Sequence, residues 1–338
     1  MNKERILAKL AENPFVPHLR VRNGHAQTII SSFLSRRTPR LDDLAKPRHF
    51  DTVPETQVVG DCVWQEDKQQ RPTLILLHGM EGSIDSGYMQ GCAEQAVGAG
   101  FNVLRLNQRN CGGTEHLTPT LYHAGLTDDL RKIVAELIER DGLQKIYIMG
   151  FSLGGNVILK LAGEYGASAP PQVKGFIGVS PSLDLVSCAA AIEMRSNFLY
   201  HSRFILSLKN RMRRKAKLFP ERYDISKLRG VWTIRKFDDV YTSRHAGFRD
   251  VEDYYERASA IRQIQHIAVP TLIIHAKDDP FIPFAPFATK ELQENPNIAL
   301  LATAHGGHVG FLTGSKEPEN RFWYEKKMVE FIESLEEE

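Results

Sequence analysis

The stretch YIMGFSLGGNVIL, residues 147–159, runs apolar, turns on Gly150, offers one hydroxyl at Ser152 and then meets Gly154 and Gly155. Tyr147 to Phe151 reads as a strand buried on both faces, while Val157, Ile158 and Leu161 fall on one face of a following helix. A serine at so tight a strand-to-helix corner takes a strained backbone angle, and only glycine fits beside it. Residues 150–154 match G-x-S-x-G, a pattern too short to decide anything by itself. The setting decides it, and Ser152 becomes a candidate nucleophile.

The same rhythm continues on both sides. PTLILLHG (72–79), FNVLRLNQ (101–108), KIYIMGF (145–151), GFIGVSP (175–181), PTLIIHA (270–276) and NIALLAT (297–303) each hold a compact apolar block suited to a buried parallel strand. Between them lie amphipathic helices. One carries Leu130, Ile133, Val134, Leu137 and Ile138 behind Thr127 as N-cap, and another, in the tail, carries Tyr324, Met328, Phe331, Ile332 and Leu335. HFDTVPETQVVGDCVWQED (49–67) reads as a β-hairpin that extends one sheet edge. This alternation predicts an α/β protein with a mostly parallel, doubly wound sheet. From 187 to 264 no strand–helix unit closes, which is too long for a plain loop and predicts a helical cap insertion. The core is therefore expected at 47–186 and 265–338. Residues 1–46, beginning with the amphipathic MNKERILAKLAENPF, form a helical and extended segment packed on core or cap.

Composition narrows the function. A net charge of +2 over 338 residues gives no global drive toward nucleic acid. No run of about 18 apolar residues and no signal-peptide core is present, so a cytoplasmic protein is expected. Cys62, Cys92, Cys111 and Cys188 are scattered without a CxxC pair, which speaks against a disulfide framework or a structural zinc site.

A serine hydroxyl needs a base to take its proton and a carboxylate to orient that base. Candidates follow in the order Ser, Asp, His. AKDDPFIP places Asp278 and Asp279 just past one strand, and AHGGHVGF places His305 and His308 past the next. Asp279, at the turn, and His308, behind two glycines, are preferred over Asp278 and His305. All these loops lie at the carboxyl edge of a parallel sheet, where Ser152 also sits. The backbone amides of Leu153 and Met80 are placed to hold an oxyanion. Glu81 is read as a solvated loop residue.

NGHAQTII (23–30), HGMEGS (78–83), NQRNCGGTEHLTPTLYHAGLTDDL (107–130), GFSLGGN (150–156), FDDVYTSRHAGFRDVEDYY (237–255), AKDDPFIP (276–283) and GGHVGF (306–311) together resemble the YheT-like branch of the α/β-hydrolase superfamily. The resemblance implies an α/β-hydrolase fold and hydrolysis of carboxylic esters through an acyl-enzyme, with no metal and no organic cofactor. Carried residue by residue, it puts the nucleophile on Ser152, the acid on Asp279 and the base on His308. It implies a small-molecule ester substrate, with an apolar or lipid-like acyl group. Thioester, amide or acyl-transfer chemistry on the same triad is the alternative.

Two features of the insertion stand out. HSRFILSLKNRMRRKAKLF (201–219) holds seven Lys and Arg residues and no acid. It is expected to be a helix with an apolar face on the core and a solvated basic face, one that suits peripheral contact with an anionic membrane. No nucleic-acid-binding module accompanies it. Tyr241, Phe248, Tyr254 and Tyr255 either wall an acyl pocket or form the cap's own core.

Overall fold

The computed structural model describes residues 2–317 and 320–337. All six apolar blocks are strands of one eight-stranded sheet. Its strands are β1 (Lys46–Asp51), β2 (Gln57–Val63), β3 (Thr73–Leu77), β4 (Asn102–Leu106), β5 (Ile146–Phe151), β6 (Val173–Val179), β7 (Thr271–Ala276) and β8 (Ile298–Thr303). The order is β1-β2-β4-β3-β5-β6-β7-β8. The hairpin β1–β2 pairs antiparallel and joins β4 antiparallel, as the edge extension required. Every pairing from β4 to β8 is parallel.

Every residue of β3, β4, β5 and β7 is buried, which explains why these segments are continuous apolar runs rather than alternating ones. Successive side chains still divide between two cores. Ile75, Leu77, Leu104, Ile146 and Ile148 face one cluster, and Leu74, Leu76, Val103, Tyr147 and Met149 face the other. Helices cover both faces, the arrangement of a doubly wound sheet.

Ahead of the sheet come α1 (Lys3–Ala11), α2 (Gly24–Phe33) and α3 (Pro39–Leu44); within it lie α4 (Gly87–Gly98), α5 (Asp128–Glu139) and α6 (Leu153–Tyr165). Ile6 and Leu10 of α1 join the same core as Met328, Phe331 and Ile332 of the C-terminal helix Trp323–Glu336. Thr127 departs from expectation. It stands at the N-cap position of α5 without capping it: its backbone is already helical (φ −92°, ψ −20°) instead of extended, and its hydroxyl turns to Glu164 Oε2, to which it donates at 2.7 Å. Between β6 and β7 the chain forms α7 (Leu185–Ile192), α8 (Phe198–Leu218), several short turns and the helix Val251–Ala258. No helix among the described residues is long and apolar enough to cross a membrane. The four cysteines are free and buried.

Candidate active site

Ser152 closes β5 and opens α6 at φ 53° and ψ −118°, the left-handed region that non-glycine residues avoid. The corner is held by Ser152 N–H donating to Val179 O at 3.0 Å, and by Ser152 O accepting from Asn156 and Ser182 at 3.1 Å each. Crowding dictates the glycine at 154. A Cβ there would stand 2.3 Å from His78 O, so α6 reaches the end of β3 only with hydrogen in that place.

The two acidic candidates separate cleanly. Asp279 is fully buried and its Oδ2 faces His308 Nδ1 at 2.8 Å, while Oδ1 accepts from Phe281 N–H (3.1 Å) and Ile282 N–H (2.9 Å). Burial alone would push its pKa up, but His308 and the backbone donors hold it below the usual carboxylate value. Asp278 makes a second, more exposed pair with His305 at 3.3 Å and accepts from Gly307 N–H. His308 lines the cleft that holds Ser152, and His305 does not. Among the described residues no hydrogen bond runs from Ser152 Oγ to His308; in unliganded sites of this kind that contact often tightens only when substrate binds.

The amino-terminal segment does more than pack. Thr28 Oγ1 accepts from His308 N–H at 2.8 Å, and Gln27 bonds both backbone groups of Leu312 and the carbonyl of Val21. The NGHAQTII phrase therefore grips the histidine loop, which is itself strained at Val309 (φ 55°) and Phe311 (φ 42°). Gln27→Ala would leave buried Leu312 N–H without its acceptor. It is expected to cost about 1–3 kcal/mol of stability, read as a lower melting temperature, together with a loss of kcat.

The loop after β3 carries Met80 beside Ser152, and the structure corrects the reading of its neighbour. Glu81 is not solvated: its side chain is 9% exposed and pairs with Arg211 of α8 at 2.5 Å. Ser207 Oγ donates to Glu81 Oε2 at 2.6 Å, and Tyr122 OH donates to Oε1 at 3.2 Å. Arg211 lies 4.5 Å over the Tyr122 ring. Burial alone would lower the Arg211 pKa, but the Glu81 carboxylate more than offsets it and keeps the guanidinium charged. On the other side, His78 Nδ1 meets Gly79 O at 2.7 Å and its Nε2 accepts from Gln108 N–H at 3.0 Å. Burial pulls its pKa down to about 4, which keeps it neutral for both bonds. The glycines around it advertised the loop; nothing local advertised the roles of His78 or Arg211.

The basic run is accordingly not one solvated face. Arg211 pairs with Glu81, Lys215 donates to the carbonyls of Glu115 and Thr118, and Lys209 sits over the Trp232 ring, all three buried. Arg211 and Lys215 turn inward because the core-facing stripe of α8 meets a carboxylate and open carbonyls, not only apolar surface. Arg203, Arg213, Arg214 and Lys217 remain exposed.

Two spaces meet at Ser152. A cleft of about 630 Å³ is lined by Gly79, Met80, Ser152, Phe204, Phe281 and His308. A narrower pocket of about 80 Å³ is lined by Met80, Ser152 and Leu153 from the sheet edge, and by Leu185, Ile192, Ile234, Tyr254 and Tyr255 from the helices between β6 and β7. The aromatic residues divide. Tyr254 and Tyr255 wall this pocket, whereas Tyr241 packs on Phe237 and Phe248 on His123.

A serine on a strained elbow, sharing a cleft with a histidine backed by a buried carboxylate at the carboxyl edge of a parallel sheet, fits the arrangement of the α/β hydrolases. The family model for the alpha/beta hydrolase fold matches residues 72–315, and the chain belongs to that family. Within it the YheT-like branch is shown by similarity to YheT of Escherichia coli (strain K12), 32% identical over 327 residues, 94% of this chain and 92% of that one. Similar too are Phospholipase ABHD3 of Mus musculus, 28% identical over 82% of this chain and 67% of that one, and Monoacylglycerol lipase of Saccharomyces cerevisiae, 31% over 79% and 60%. Among solved structures, the Pyrococcus furiosus esterase Pf2001 shares the fold with a TM-score of 0.58 at 16% identity, covering 89% of this chain and 96% of that one.

Proposed function

We propose that the protein is a serine hydrolase of carboxylic esters with an apolar acyl group, working through an acyl-enzyme. Ser152 Oγ attacks the ester carbonyl while His308 takes its proton; Asp279 orients His308 and stabilises the imidazolium. The amides of Met80 and Leu153 hold the oxyanion. His308 then passes the proton to the leaving alkoxide, and an incoming water repeats the sequence to free the acid. Helices 187–264 act as the cap that walls the acyl pocket. The observation that carries this reading is the buried Asp279–His308 pair, at 2.8 Å, in the cleft of a serine held at φ 53°. The names of the phospholipase and lipase relatives point to the same bond type.

A fluorophosphonate probe tests it. The expected result is one adduct per chain on the peptide that contains Ser152, and none in Ser152→Ala. Equal labelling of that variant would refute the assignment.

A further inference from the structure

The pocket beside Ser152 is apolar along most of its wall, with Leu185, Ile192, Ile234, Phe281 and Ile282, and holds a single carboxylate, Asp238. Its roughly 80 Å³ is several times the space that admits a single water, enough for a short chain. His308 lines the wide cleft and not this pocket. Because His308 must reach the leaving alkoxide, the departing alcohol lies in the cleft, and the acyl chain retained on Ser152 is left with the pocket.

Asp238 begins a π-helical turn, Asp238–Thr242, a backbone irregularity that tends to occur at functional sites. Its Oδ1 accepts from Thr242 Oγ1 at 2.7 Å and its Oδ2 from Tyr255 OH at 2.9 Å. The carboxylate and both donors come from the single phrase at 237–255. Two hydroxyl bonds leave acceptor capacity on both oxygens. No cation lies within ion-pair distance among the described residues, since Arg211, which acts on it through space, is paired with Glu81. Burial raises the carboxyl pKa to about 6, despite the two hydroxyl bonds. A carboxylate facing an apolar pocket without a cation is costly unless something that enters the pocket donates to it.

We propose that Asp238 is a recognition subsite for a hydrogen-bond donor, a hydroxyl or ammonium group, carried on the acyl chain of the substrate. This rests on Ser152 carrying the acyl group. The preferred substrate is then a short ester whose chain ends in a donor, rather than a plain alkanoate.

The test compares kcat/KM for nitrophenyl hexanoate, 6-hydroxyhexanoate and 6-ammoniohexanoate in the wild type, Asp238→Asn and Asp238→Leu. The wild type is expected to favour a donor-bearing ester over hexanoate by about tenfold or more. Asp238→Leu should reverse that order, and Asp238→Asn should erase the ammonium preference while keeping part of the hydroxyl one. The two donor arms show which group the site takes. Ratios that stay within about twofold across all three proteins would overturn the proposal. Fluorophosphonate labelling of Ser152 reports a folded site in each variant; if Asp238→Leu fails to label, Asp238→Asn decides. Calorimetry of free hexanoate and 6-hydroxyhexanoate with Ser152→Ala, and with Ser152→Ala combined with Asp238→Asn, reads the subsite without turnover. Absent labelling in the wild type would sink the hydrolase reading, whereas equal affinity for the two acids would sink the subsite.

Discussion

Asp279→Asn is expected to lower kcat about 10⁴-fold, and Asp278→Asn less than tenfold or so. The two residues are neighbours in sequence, but their surroundings differ. Asp279 has no exposed side-chain surface, whereas Asp278 keeps 24% and its partner His305 keeps 44%. An asparagine at 279 retains the volume and can still accept from Phe281 and Ile282 through its carbonyl oxygen. It would then turn an NH₂ group toward His308 Nδ1, forcing the tautomer that leaves Nε2 protonated and unable to act as the base. The imidazolium that forms during attack also loses its counter-charge. At 278 the amide oxygen still accepts from Gly307 N–H, so the loop keeps its shape. Steady-state kcat on a nitrophenyl ester, with melting curves to show that both variants fold, measures the difference. A collapse of activity in Asp278→Asn with near-normal turnover in Asp279→Asn would exchange the two roles.

The parts of this fold that could be read from sequence are those set by local chemistry. β3, β4, β5 and β7 are buried on both faces, so their apolar blocks stand out without reference to any partner. The elbow was legible for the same reason: the strand, Ser152 and Gly154 that make it lie within a few residues. Misreadings arose where a side chain's fate depends on a distant one. Glu81 on an exposed-looking loop reads as solvated until Arg211 is placed over it. Thr127 reads as a cap until its backbone proves helical and its hydroxyl turned to Glu164. Gln27 and Thr28 gave no sign of their grip on the histidine loop, through contacts 285 and 280 residues away in sequence. The choice between Asp278 and Asp279 depends on which of two adjacent side chains turns inward, and spacing does not encode that.

Arg211→Met is expected to cost about 3–5 kcal/mol of stability, because it leaves the Glu81 carboxylate buried without its cation. Both side chains are almost fully covered, at 4% and 9% exposure, so water cannot replace the lost partner cheaply. The remaining donors, Ser207 Oγ and Tyr122 OH, satisfy hydrogen bonds but supply no charge. Glu81 takes a left-handed backbone angle of φ 57°, so its position is maintained by these side-chain ties rather than by intrinsic preference. Met80, whose amide we propose as an oxyanion donor, is the preceding residue, and slack at Glu81 passes directly to it. The double variant Arg211→Met, Glu81→Gln separates the two consequences. Removing both charges is expected to restore most of the lost stability, since a buried ion pair contributes little net free energy over a neutral, well-packed replacement. Turnover should stay depressed by about tenfold or more, because a neutral glutamine no longer ties α8 to the oxyanion loop with charge-assisted bonds. Denaturant unfolding and kcat on the same ester, measured for the wild type, both single variants and the double variant, close the cycle. If Arg211→Met unfolds at the wild-type midpoint, the pair is not what holds the loop; if stability and turnover recover together, its role is packing alone.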